Sequence, residues 1–195
     1  MLQATRPLPT QRIIEEHTTA LNGLLSGVDP LVLDRLVTTL RDTRDAGGTL
    51  FVAGNGGSAA TASHLACDLG KATRSPGRAP VRVMSLADNG AWLSALANDE
   101  GYDRAFAGQL ENFARKGDAL LVISASGNSP NLVAAVECAR EHGVTTLGLL
   151  GFDGGALLGL LDQPVWLPSA PGAYALVEDA HSALCHVLTK CLCEA

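Results

Sequence analysis

Long apolar runs are missing from this 195-residue sequence, although 47% of its residues are hydrophobic. No stretch approaches the roughly 20 apolar residues that cross a bilayer, and Met1–Pro9 lacks a basic-then-apolar leader pattern. A cytoplasmic protein with no membrane partner is expected. Positive charge is also scarce. Fourteen Lys and Arg stand against 20 Asp and Glu, a net charge of −6. That balance excludes the broad basic footprint of a nucleic-acid binder and favours a small-molecule ligand. The five cysteines (Cys67, Cys138, Cys185, Cys191, Cys193) form neither a CxxC pair nor a zinc-ribbon spacing, so they read as reduced structural thiols. With only 17% charged residues, the chain suits one well-buried domain and leaves no length for two of ordinary size.

The apolar pattern divides the chain in two. From Gln11 to Ala46 apolar residues recur at helical spacing, interrupted at Gly27–Pro30, which predicts a helical hairpin over about residues 10–46. Short apolar runs then alternate with helix-length segments: Thr49–Gly54, Val81–Leu86, Ala119–Ser124, Thr145–Leu150 and Pro164–Leu167. Strands apolar throughout and separated by helices are parallel strands covered on both faces. The expected fold is α/β, a three-layer α/β/α sandwich on a five-stranded parallel sheet. A final helix over Gly172–Ala195 would close it. The loop Lys71–Pro80 and the turn Gly151–Gly155 are expected to border a site at the strand ends.

Two turns stand out. Gly54-Asn55-Gly56-Gly57-Ser58 follows the first apolar run, and Ser124-Ala125-Ser126-Gly127-Asn128-Ser129 follows the third. A strand ending in small residues and opening into a helix offers free N–H groups, hydroxyls and a positive helix end to one anion. Two such turns suggest one phosphorylated ligand between them. A dinucleotide reading of the first turn needs an acid about 20 residues on, at the end of the next strand. The first acid there, Asp88, lies too far along, and the Walker A pattern is absent. A plain structural turn would account for the first motif alone. It does not account for three serine hydroxyls within six residues of the second.

Helical positions also pair imidazoles with acids. His64 and Asp68 are four apart after the first turn; Glu178 and His186 are eight apart in the last helix, so each pair shares a face. His181 projects at another angle. His17 and His142 lack helical partners and read as surface residues, while Trp92 and Trp166 read as packing residues.

Together, the Gly54–Ser58 turn, Ala97-Asn98-Asp99, Ser124–Pro130, Gly151–Gly155 and the Glu178–His186 helix resemble the phosphoheptose isomerase branch of the sugar isomerase (SIS) domain family over nearly the whole chain. The resemblance implies an aldose–ketose isomerase interconverting sedoheptulose 7-phosphate and D-glycero-D-manno-heptose 7-phosphate. It assigns acid–base roles to Asp68 and His186. Contacts to the sugar phosphate fall on Asn55, Gly56, Gly57, Ser58, Asp99, Ser124, Ala125, Ser126, Ser129 and Glu178. A Zn2+ site falls on His64, Asp68, Glu178 and His186. Asp68 stands where the family has Glu, Glu178 where it has Gln, Ala72 where it has Arg and Ala175 where it has Asp. The second carboxylate, Glu178, would help neutralise a divalent ion; the rival reading pairs Glu178 with Lys71. Surplus apolar surface on the hairpin and last helix, together with the resemblance, implies a homotetramer. Two alternatives differ in chemistry: a non-catalytic sugar-phosphate sensor or adaptor, and an isomerase of another sugar phosphate.

Overall fold

A computed structural model describes residues 8–194; Ala195 and most of the Met1–Pro9 segment read above lie outside them. The first helices are α1 (Pro9–Ser26) and α2 (Pro30–Asp45), each opened by proline in its first turn. Proline is tolerated there because its missing N–H has no intrahelical partner to lose. The Asp29 side chain accepts from the Leu31 N–H at 2.9 Å and so caps α2. The break expected at Gly27–Pro30 is where the hairpin turns.

The remaining chain alternates strand and helix: β1 (Thr49–Gly54), α3 (Gly57–Ala72), β2 (Arg82–Ser85), α4 (Gly90–Asp99), a 3-10 turn (Tyr102–Arg104), α5 (Ala107–Phe113), β3 (Ala119–Ser124), α6 (Pro130–Glu141), β4 (Thr145–Leu150), α7 (Gly155–Leu160), β5 (Gln163–Trp166) and α8 (Tyr174–Glu194). All strands are parallel, in the order β2-β1-β3-β4-β5. Strand order reverses between β1 and β3, and crevices at the carboxyl ends of such neighbours are where doubly wound sheets bind ligands. Both phosphate-type turns leave the sheet there.

Two apolar cores sandwich the sheet. On one face Leu36, Leu40, Leu65, Leu69, Leu184 and Leu188 from α2, α3 and α8 pack on Leu50, Val52, Leu121 and Ile123. On the other, Leu110, Leu132, Val136 and Leu157 from α5, α6 and α7 pack on Phe51, Leu120 and Val122. The central β3 is buried along its whole length, which explains why it reads as an unbroken apolar run. Helix α1 sits outside this sandwich. It buries no residue completely, resting Leu21, Leu24 and Leu25 on the core and leaving Ile13 and Ile14 more than half exposed.

Helices α3 and α8 run side by side in the same direction. Gly57 at the start of α3 meets Glu178 near the start of α8, and Ala72 at the end of α3 accepts a 3.4 Å bond from the Cys193 thiol at the end of α8. The Lys71–Pro80 loop follows α3 and is tied to the carboxyl end of α8, where Arg78 donates to the Leu192 and Cys193 carbonyls at 3.1 Å. It therefore lies at the far end of the helix pair from the phosphate-type turns and does not border them. His17 finds a partner that no local spacing could show, Asp179 of α8, at 2.7 Å. Trp92 packs edge-on against Phe113, as expected; Trp166, on an edge strand, stays 43% exposed with its indole N–H on the Phe152 carbonyl. No helix among the described residues is long and apolar enough to cross a membrane.

Candidate active site

Asn55, Ser58, Ser124, Ala125, Ser126, Ser129 and Glu178 line one cavity of about 170 Å³, with Ile123 and Tyr174 completing it. Two roomier clefts on the β2 side, of about 400 and 500 Å³, contain none of the expected site residues. The serine turn is held from inside: Gly127 N–H donates to the Ser124 hydroxyl at 3.0 Å and Asn128 N–H to the Ser126 hydroxyl at 3.3 Å. Behind it the Gly151–Gly155 turn acts as a buttress. Asn128 accepts from Ala156 N–H at 2.9 Å, and Leu157 N–H donates to the Gly127 carbonyl at 3.0 Å. A side chain on Gly127, whose φ is +64°, would run into the Gly154 carbonyl, so the two turns fit only without a Cβ there.

The glycine turn opens α3 with Gly56 at φ +54° as its N-cap residue. Gly57 leaves room for Glu178: a Cβ on Gly57 would lie 2.6 Å from a Glu178 carboxylate oxygen. The carboxylate thus stands over the positive end of α3. Asn55 is fixed by a reciprocal amide pair with the buried Asn131 and by the Tyr102 hydroxyl, which donates to Asn55 Oδ1 at 2.9 Å. Asn131, Tyr102 and Tyr174 escape sequence reasoning. The only local sign was an asparagine in the first turn of a helix opened by the serine turn.

Further along the same two helices, His64, Asp68 and His186 come together. The Nε2 atoms of His64 and His186 lie 3.3 and 3.8 Å from one oxygen, Asp68 Oδ2, and the two imidazoles meet edge to face with centroids 4.9 Å apart. One ligand atom from each of the three falls within 4.8 Å of the others. Two imidazoles and a carboxylate at this separation suit a divalent cation with one position left open. Three of the four expected metal ligands are therefore together, and Glu178 is not with them. It sits at Gly57, and His64 lies two turns, about 10 Å, further along α3. Pairing of Glu178 with Lys71 is excluded: Lys71 is fourteen residues along α3, about 21 Å from Gly57. Asp99 also stays outside the cavity. It ends α4 exposed and accepts from Asn98 at 2.7 Å, and Tyr102 is the residue of this segment that reaches the site.

Two titratable side chains of α8 turn inward beneath the cluster. His181 is wholly buried, and burial pushes its imidazole down to about 4, opposed by the Leu150 backbone. Burial pushes the Cys185 thiol up to about 12, with the Asp68 charge adding to the effect. Neither is placed to act on a ligand. His142 folds back on its own helix, its ring bonded to the Cys138 carbonyl at 2.8 Å.

A hydroxyl-lined anion pocket at the switch point of a doubly wound sheet, with imidazole and carboxylate groups on the helices leading from it, defines a phosphate-binding α/β protein equipped for proton transfer. Residues 25–151 match the SIS domain family. The phosphoheptose isomerase of Chlorobium phaeobacteroides is 43% identical over 159 residues, 81% of this chain and 69% of that protein. That of Pelobacter propionicus is 40% identical over 159 residues, 82% of each chain. The solved phosphoheptose isomerase of Francisella tularensis superposes with a TM-score of 0.86 at 25% identity, over 97% of this chain and 100% of that one. The chain belongs to the SIS domain family, and within it to the phosphoheptose isomerases.

Proposed function

We propose that this protein isomerises sedoheptulose 7-phosphate to D-glycero-D-manno-heptose 7-phosphate in the cytoplasm. The observation that carries this reading is the meeting of His64, Asp68 and His186 on helices that begin at the phosphate-type pocket. Its separation from the serine turn suits a substrate with several carbons between phosphate and carbonyl.

In this reading the phosphate is held by the hydroxyls and free N–H groups around Ser58, Ser124, Ser126 and Ser129, and Asn55 orients the sugar. Asp68 takes a proton from C1 of the ketose, leaving an enediolate across C1 and C2, and returns that proton to C2. His186 moves the remaining proton from the C1 hydroxyl to the C2 oxygen, so that the aldose forms without net gain or loss of atoms. His64, whose Nε2 lies 3.3 Å from the Asp68 oxygen that must accept the proton, orients that carboxylate. His64, Asp68 and His186 would also hold Zn2+, which when bound supplies Lewis-acid polarisation of the sugar oxygens. A non-catalytic sensor would have no use for this acid–base set.

The working form in this proposal is a homotetramer. The side chains of His64 and His186 are 51% and 56% exposed, whereas proton transfer through an enediol benefits from a site closed to water. The exposed Ile13 and Ile14 of α1 offer a neighbouring copy an apolar surface. A coupled assay converting sedoheptulose 7-phosphate to the aldose tests the activity. Turnover is expected, and no turnover with or without added zinc would overturn the reading.

A further inference from the structure

A second cavity, of about 400 Å³, opens between α3, β2, α4 and α5, and the proposed isomerisation makes no use of it. Gln109 of α5 forms part of its wall and is only 2% exposed. The amide nitrogen of that side chain donates to the Leu86 carbonyl at 2.9 Å and to the Ala105 carbonyl at 2.8 Å. Two carbonyl partners fix which end of the amide is nitrogen, and they use both of its hydrogens. Gln109 Oε1 accepts from no group among the described residues, yet it is not sealed from solvent, so the cavity is where its lone pairs must find a donor. Asp88 brings a charge to the same wall. Its Oδ1 accepts from the Ser63 hydroxyl, and among the described residues the carboxylate enters no ion pair. No lysine or arginine among the described residues shares the lining. The rest of the wall is largely apolar: Trp92 and Phe113 meet edge to face with centroids 5.4 Å apart, beside Val83 and Met84.

We propose that this cavity binds a small organic cation, an amidinium or ammonium group carried on a flat apolar body. The carboxylate of Asp88 and the amide oxygen of Gln109 both call for donors, and a cationic nitrogen group offers donors with no acceptor of its own. A hydrogen bond from such a group to Asp88 is charge-assisted and roughly twice as strong as a neutral one. Trp92 and Phe113 favour the same charge, because the face of an aromatic ring is negative. An anion would meet Asp88 with no cation beside it, so a phosphorylated sugar does not suit this wall. A neutral polyol would satisfy the same oxygens without the gain from charge. The volume lies within the range of small-molecule sites. No residue lines both this cavity and the serine pocket, so the two ligands would not compete. Helix α3 touches both functions: Ser63, Ala66 and Cys67 face the cavity, while His64 and Asp68 belong to the cluster.

Calorimetry on the full chain near neutral pH tests the charge preference with benzamidine, benzamide and benzoate, which share one shape. Benzamidine should bind with a Kd of about 1 mM or tighter, benzamide at least about tenfold more weakly, and benzoate not measurably. Asp88→Asn keeps an oxygen for the Ser63 hydroxyl and removes the charge. It should bring benzamidine down to the level of benzamide while the melting temperature stays within a few degrees of the wild type. The place of binding is read by NMR on the wild type. The Trp92 indole N–H signal, assigned by its loss in Trp92→Phe, should shift as benzamidine is added, and that of Trp166 should stay in place. Should Asp88→Asn melt early, the probe series and the Trp92 signal decide the matter on the wild type alone. Equal affinity for the cation and the neutral amide, no binding of benzamidine, unchanged binding in a folded Asp88→Asn, or a shift of Trp166 alone overturns the inference. Turnover of sedoheptulose 7-phosphate is independent of the result, because the cavity lies outside the isomerase site.

Discussion

Asn55 and Asn131 exchange two amide hydrogen bonds, each 2.9 Å long, and so join the glycine turn after β1 to the first turn of α6. Asn131 is 2% exposed, which leaves its amide no water to fall back on. Replacing it with Ala removes both bonds and leaves Asn55 Nδ2 without its partner, while Asn55 Oδ1 keeps only the Tyr102 hydroxyl. The expected loss is about 1–3 kcal/mol of stability, with weaker phosphate binding because the two turns no longer hold their spacing. Asn131→Asp should be similarly harmful, since a carboxylate cannot donate to Asn55 Oδ1. Urea denaturation and calorimetric binding of a sugar phosphate check both.

Asp68 is the carboxylate at which both imidazoles converge. Asp68→Asn should lower kcat by roughly 10²–10⁴, the usual worth of a positioned acid–base group, with a much smaller effect on KM. Asp68→Glu keeps the charge and should retain more activity than the amide. Steady-state kinetics on sedoheptulose 7-phosphate separate the cases; equal losses in the two variants would remove Asp68 from the proton-transfer step.

His181 gives a pH dependence with a definite sign. Its folded value of about 4 lies below its ordinary 6.5, so between these values the unfolded chain binds a proton that the folded chain refuses. Stability from this residue is complete above pH 6.5 and is lost as the pH falls toward 4, by roughly 3 kcal/mol at most. Melting curves from pH 7 to pH 4.5 should show a smaller acid loss for His181→Gln than for the wild type.

Thiol reactivity should sort by burial. Cys185, buried and pushed up to about 12, has almost no thiolate at neutral pH, whereas Cys67 and Cys193 are exposed. Iodoacetamide on the native protein, read by peptide mass spectrometry, should label Cys67 and Cys193 and spare Cys185 and the buried Cys138 until denaturant is added.

For the oligomer, Ile13→Glu with Ile14→Glu places two charges on a face of α1 that makes no core contact in the single chain. The double variant should keep its fold by circular dichroism and lose mass by light scattering relative to a tetrameric wild type. An unchanged mass would remove α1 from the interface.

The sequence alone determined the layers of this protein, because the signals are local. Apolar runs of six residues such as Ala119–Ser124 can be satisfied only inside a covered parallel sheet, the break at Gly27–Pro30 splits the hairpin, and Pro130 marks the first turn of its helix, whereas the start of α1 at Pro9 lies just ahead of the helical spacing read from about residue 10. The residues of the pocket were legible for the same reason: the two turns carry their chemistry within six positions. Pairing at helical spacing also placed His64 beside Asp68. What joins segments far apart in the chain was decided only by tertiary packing. The parallel alignment of α3 and α8 brings His186 to Asp68 and sets Glu178 over Gly57 instead of among the cluster, and it carries the Lys71–Pro80 loop to the far end. Asn131, Tyr102 and the His17–Asp179 pair depend likewise on which helix faces which strand end. Spacing along one helix fixes a face, but the register between two helices is set by side chains meeting across the core.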